Sequence, residues 1–139
     1  MSADFLDTNI FVYTFDSLDL AKQAAARRLV AEAIEQRSGI ISSQVVQETL
    51  NVLTGKARVR LSAQQAGRFL HEMLIPLWRG APTPALYESA LSLRDRYGLG
   101  FYDSLIVAAA LEAGCTRVLS EDLQHGQRIE GLTIENPFR

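Results

Sequence analysis

Short apolar segments, each ending in a small polar or acidic residue, alternate along this chain with longer stretches of helical periodicity. That alternation constrains the fold more than any other feature. Phe5-Leu6 runs into Asp7-Thr8-Asn9 and reads as a buried strand stopping at a turn. Leu18 to about Gln36 has Ala21, Ala24, Ala25, Leu29 and Ala33 at helical spacing. Gly39-Ile40-Ile41-Ser42 reads as a second strand, after which Ser42 or Ser43 caps a helix through Val45, Val46, Thr49, Leu50 and Leu53. Ser62 followed by Gln65 is a capping box opening a helix through Phe69 and Leu70. Met73 to Trp78 fits either the end of that helix or a short strand at Ile75-Leu77. Thr83-Pro84 predicts the start of a helix that stops at Gly98. A mostly apolar helix is expected from Asp103 to Gly114, then strands at Arg117 to Ser120 and Leu132 to Glu135. Helices between buried strands predict an α/β layered fold with a mostly parallel sheet. At 139 residues, the chain is expected to form one domain, 1–139. Ligands in such folds gather beyond the carboxyl ends of the strands, so the search for a site begins there.

Acids occupy those places. Asp7 follows the first strand, and Asp122, with Glu121 beside it, follows Val118-Leu119-Ser120. Asp103 opens the most apolar helix, and Glu48 lies early in the helix after the second strand. Each has an ordinary reading: Asp7 as a turn former with Asn9, Asp103 as a first-turn acid facing the helix dipole, Glu121-Asp122 as a solvated loop, and Glu48 as a surface residue. Together they say more. Four carboxylates in one cleft repel, and some must protonate unless a cation joins them. All-oxygen ligation without clustered His or Cys suits Mg²⁺ or Mn²⁺ rather than zinc.

Four segments carry a resemblance: Phe5-Leu6-Asp7-Thr8-Asn9-Ile10, Ser42 to Glu48, Tyr102-Asp103-Ser104-Leu105-Ile106-Val107-Ala108, and Leu119-Ser120-Glu121-Asp122-Leu123-Gln124-His125-Gly126. In this order and spacing the chain resembles the PIN-domain ribonucleases, and within them the VapC-type toxins of type II toxin–antitoxin modules. The likeness spans essentially the whole chain, through Gly131-Leu132-Thr133-Ile134 and Asn136-Pro137-Phe138. It implies a three-layer α/β/α domain with a central parallel sheet. Asp7, Glu48, Asp103 and Asp122 fall on the family's acidic quartet, with Glu121 an alternative for the fourth position. Thr8, Asn9 and Ser120 fall on small polar positions that support the site; the family often has threonine where Ser120 stands. The implied reaction is hydrolysis of RNA phosphodiesters by a water activated on carboxylate-bound Mg²⁺ or Mn²⁺. Asp7 and Asp103 would be the core ligands, with Glu48 and Asp122 completing the set. The resemblance also implies a homodimer, and an antitoxin that lays a helix or tail across the cleft, often with an arginine among the carboxylates.

The rest of the sequence sets bounds on this reading. Fourteen Lys and Arg against sixteen Asp and Glu give a net charge of −2, so phosphate binding requires a local patch. Lys56, Arg58 and Arg60 follow the Glu48 helix and read either as RNA-backbone contacts or as a basic helix end. Arg27, Arg28, Arg94 and Arg96 read as solvated faces, and Trp78, Phe69 and Met73 as core or dimer surface. Tyr102 is expected to pack against the sheet rather than stack on a base, and His125 to be a loop residue rather than an acid or base. The lone Cys115 excludes an internal disulfide framework and reads as a buried filler. The first residues lack a secretory signal's basic region, and no apolar run approaches the roughly 18 residues of a membrane helix, so a cytoplasmic protein is expected. Two other classes compete. A phosphotransfer receiver domain needs a lysine after a late strand, but Lys22 and Lys56 are the only lysines and both come early. A PIN-like module that binds nucleic acid or protein without cleaving it differs only in catalysis.

Overall fold

The structure, a computed structural model, describes residues 3–55 and 60–139. Lys56 and Arg58 lie outside the described residues. Among the described residues, the sheet has five strands in the order β2-β1-β3-β5-β4: β1 (Asp4–Leu6), β2 (Gly39–Ile40), β3 (Arg117–Leu119), β4 (Arg128–Ile129) and β5 (Leu132–Glu135). All neighbours run parallel except β4, which turns back antiparallel onto β5 at the edge. Phe5 pairs with Ile40 on one side and Val118 on the other, and Val118 pairs with Ile134. Phe5, Val118 and Ile134 are fully buried, as near-continuous apolar strands in a sheet covered on both faces must be. Each such side chain contributes about 1.5–3 kcal/mol by leaving water.

Among the described residues, six α-helices complete an α/β/α arrangement: α1 (Thr8–Tyr13), α2 (Leu20–Glu35), α3 (Ser43–Thr54), α4 (Ala63–Phe69), α5 (Pro84–Tyr97) and α6 (Phe101–Glu112). Helix α1 packs on α2 and α3, and α5 lies along α6. The expected signals operate. Ser42 accepts from the Val45 amide, and Ser62 and Gln65 form a reciprocal capping box. Thr83 caps α5 ahead of Pro84, and Gly98 ends it in the left-handed conformation at φ 69°. Cys115 is buried. Glycine is required at position 39 because a Cβ there would stand 2.6 Å from the Ala33 methyl, where α2 crosses β2.

The structure corrects several sequence expectations. The residues after β1 are not a turn: Thr8–Tyr13 form a helix with Asp7 at its N-cap. Six residues are too few for a stable isolated helix, so burial of Ile10 and Phe11 must hold it. Helix α6 starts two residues before Asp103, with Gly100 at its N-cap. The Met73–Trp78 stretch does some of both things expected of it. Helix α4 continues into a π-helical turn at Leu70–Leu74, while Ile41 forms a parallel bridge with Trp78 beside the sheet. Strand β4 was not foreseen.

Candidate active site

The four acids arrive from four different elements. Asp7 stands where β1 becomes α1, Glu48 on α3, Asp103 in the first turn of α6, and Asp122 in the loop after β3. All four line one cavity of about 470 Å³. Neutral donors fix three of them. Asp7 accepts from the Ser120 hydroxyl (2.7 Å) and the Thr8 amide (2.7 Å). The Thr8 hydroxyl donates to Glu48 (3.1 Å), and the Asn9 side-chain amide to Asp122 (3.1 Å). Ser120 is fully buried and links two acids, because its oxygen also accepts from the Asp122 backbone N–H at 3.1 Å.

Among the described residues, none of the four acids pairs with a lysine or arginine, and no cation lines the cavity. Burial pushes Asp7 up to about 6, and the charges of Asp122 and Glu48 add to the rise against the opposing bonds from Ser120 and Thr8. Asp103 is also raised, by burial first and then by Asp122. A hard divalent cation fits this donor set: oxygens only, partly desolvated, with uncompensated charge. The side chains are not drawn around one point, however; among the described residues no three acidic, histidine or cysteine groups stand ready to share an ion. The bonds from Thr8, Asn9 and Ser120 hold individual carboxylates against the cavity wall.

Glu121 faces elsewhere. Its carboxylate accepts from Lys22 Nζ (2.7 Å) and from the Tyr13 hydroxyl, and it does not line the cavity. Burial would raise it, but those two donors hold it below the ordinary carboxylate range. Arg60 is exposed. His125 Nδ1 accepts from the Asn136 amide (3.0 Å). Arg27 donates to the Thr14 carbonyl, and Arg96 pairs with Glu130. Tyr102 does not pack against the sheet: it is 66% exposed and forms part of the wall. Its neighbour Phe101 is the ring that turns inward, meeting Tyr102 edge to face at 5.4 Å.

Several wall residues were missed from sequence. Gln44 and Asn51 lie four before and three after Glu48 on α3, so helical spacing alone puts them on its face. Tyr13 and Asp16 also line the cavity. Asp16 gave no local signal, since its carboxylate is occupied by the Leu18 amide in an ordinary turn.

The family model described as the PIN domain matches residues 5–128. No curated protein matches the sequence. Solved structures with the same fold include the Mycobacterium tuberculosis toxin VapC20, described as cleaving the sarcin-ricin loop (21% identity, TM-score 0.65, covering 86% of this chain and 90% of that one). A toxin–antitoxin complex from Klebsiella pneumoniae is similar at 22% identity and TM-score 0.67, over 98% of both chains. VapBC2 from Rickettsia felis, bound to a fragment of its promoter DNA, is similar at 21% identity and TM-score 0.68, over 96% of this chain and 98% of that one.

Proposed function

Since this chain belongs to the PIN-domain family, we propose that it is a metal-dependent, cytoplasmic endoribonuclease and the toxin of a VapBC-like toxin–antitoxin module. One observation carries the reading: four carboxylates from four elements line a single cavity with no cation of their own among the described residues. Asp7 and Asp103 would hold Mg²⁺ or Mn²⁺, with Glu48 and Asp122 completing the set. The ion would supply a water acidic enough to give hydroxide near neutral pH and would offset charge on the phosphoryl oxygens. The chain's own residues prepare that chemistry. Ser120 orients Asp7, Thr8 orients Glu48, and Asn9 orients Asp122. Burial keeps bulk water away from Asp7, which is 6% exposed. Gln44 and Asn51 present neutral amides to the cavity and add no charge to repel the substrate.

The RNA backbone needs cations, and Arg60 with Lys56 and Arg58 is the proposed source. The VapC20 and VapBC2 likenesses support an RNA substrate and an antitoxin partner. An acidic cavity without its own cation also suits an arginine inserted by that partner. The test is incubation of total RNA with purified protein in Mn²⁺ or Mg²⁺, with EDTA, and with Asp103→Asn. Discrete fragments that vanish with EDTA and in the variant are expected. Cleavage that survives both would assign the activity to a contaminant.

The proposal includes a second copy of this chain. A further cavity of about 470 Å³, lined by Leu86, Tyr87, Phe101, Tyr102 and Leu105, opens beside the acidic one and shares Tyr102 and Gln44 with it. Trp78 and Leu91 are exposed as well. We read this apolar surface as the face that a second copy would cover. Light scattering is expected to give a dimer for wild type and a monomer for Tyr87→Glu. A monomeric wild type at micromolar concentration removes this part of the reading.

A further inference from the structure

The loop after β3 offers two adjacent acids, Glu121 and Asp122, and only Asp122 lines the cavity. What separates them is a half-buried cluster built from three parts of the chain. Lys22 on α2 donates to Glu121 Oε2 at 2.7 Å, and Tyr13 at the end of α1 donates to Oε1. The Lys22 ammonium lies 4.8 Å from the centre of the Tyr13 ring and 5.9 Å from that of Phe138. Those two rings meet edge to face at 5.0 Å. Asn9 then spans the pair, its carbonyl accepting from the Glu121 backbone N–H (3.4 Å) and its amide donating to Asp122 (3.1 Å).

We propose that Lys22 is a positioning residue for the site: by holding the Glu121 carboxylate outside the cavity with Tyr13, it fixes the loop so that Asp122 alone is presented. The inference rests on the metal-dependent reading above. A part-exposed ion pair does little for stability, since screening and side-chain entropy consume its attraction. The Lys22 and Glu121 side chains retain 31% and 25% exposure, so their pairing matters through what it aims. Residues that orient ligands from behind change metal affinity or activity by about 10–100-fold when removed.

The test uses the full chain, Mn²⁺ alone as the probe, and two readouts: calorimetric Mn²⁺ affinity, and amide hydrogen exchange at residues 121–124. Lys22→Met is expected to weaken Mn²⁺ binding by about tenfold and to speed exchange in that loop. Lys22→Arg, which keeps a donor and a charge, is expected to restore both. Glu121→Gln retains an oxygen for Lys22 and Tyr13 and is expected to keep the amides protected. If Lys22→Met only lowers the melting temperature, leaving Mn²⁺ affinity and loop exchange unchanged, the pair is a plain structural contact and the proposal fails. It also fails if Glu121→Gln costs as much Mn²⁺ affinity as Asp122→Asn, because Glu121 would then itself be a ligand. Wild type that binds no Mn²⁺ would instead sink the metal reading, and loop exchange in Lys22→Met would still decide whether the anchor exists.

Discussion

Asp7→Asn is expected to abolish RNA cleavage and, at neutral pH, to make the metal-free protein more stable. The loss of activity should be at least about a thousandfold, because the change removes several kcal/mol of charge organisation at the reacting centre. The gain in stability follows from burial. Asp7 titrates near 3.8 when unfolded and at about 6 in the folded protein, chiefly because burial disfavours its charge. Its folded value is raised, so the folded state holds the proton more tightly. Asp7 therefore costs nothing below its unfolded value, and stability falls as pH rises from 3.8 through about 6. Above that range the ionised carboxylate costs about 3 kcal/mol. Asparagine avoids this cost and, like the protonated acid, accepts from Ser120 and Thr8 as a neutral group, the stronger bonds of the ionised form being already included in the value of about 6. Melting temperatures measured between pH 4 and pH 8 should show the variant drawing level with wild type at the acid end and exceeding it at the alkaline end. A variant less stable than wild type at pH 8 would mean that Asp7 is worth more as an α1 cap than it costs as a buried charge.

Divalent cations should produce the second large effect. Mn²⁺ at about one hundred times its dissociation constant stabilises a folded protein by about 2.7 kcal/mol through mass action. Relief of repulsion among Asp7, Glu48, Asp103 and Asp122 would be the physical source of that binding. EDTA should remove both the stabilisation and the cleavage. Protons compete for the same oxygens, so the Mn²⁺-induced rise in melting temperature should shrink as pH falls below about 6, where Asp7 takes up its proton. Asp103→Asn should lose most of the rise at any pH. A wild type that melts at one temperature with or without millimolar Mn²⁺ would count decisively against the site.

How much of this could be read from the sequence depended on how local each cause was. Capping residues declare themselves within four positions, so Ser62 with Gln65 and Thr83 with Pro84 were legible. The convergence of Asp7 and Asp122 on one cavity was legible because a parallel sheet gathers the carboxyl ends of its strands on one side. Helix α1 was not. Asp7-Thr8-Asn9 is as good a turn as it is a cap, and the burial of Ile10 and Phe11 that decides between them is tertiary. The pairing of Lys22 with Glu121, 99 residues apart, left no mark on either neighbourhood. Tyr102 misled for a related reason. Adjacent helix positions point about a quarter-turn apart, and nothing local says that Phe101 rather than Tyr102 faces in.

The distribution of the acids along the chain has a consequence for synthesis. A ribosome-bound chain that has not yet emerged past β3 already contains Asp7, Glu48 and Asp103, yet it lacks Ser120 to hold Asp7 and the central strand that joins β1 to β5. The cavity is therefore completed only after the segment carrying β3, Ser120 and Asp122 has been made. On the proposed reading, a fragment that stops short of β3 would carry three of the four acids without the strand and the hydroxyl that bring them into one cavity, and would be expected to be inactive.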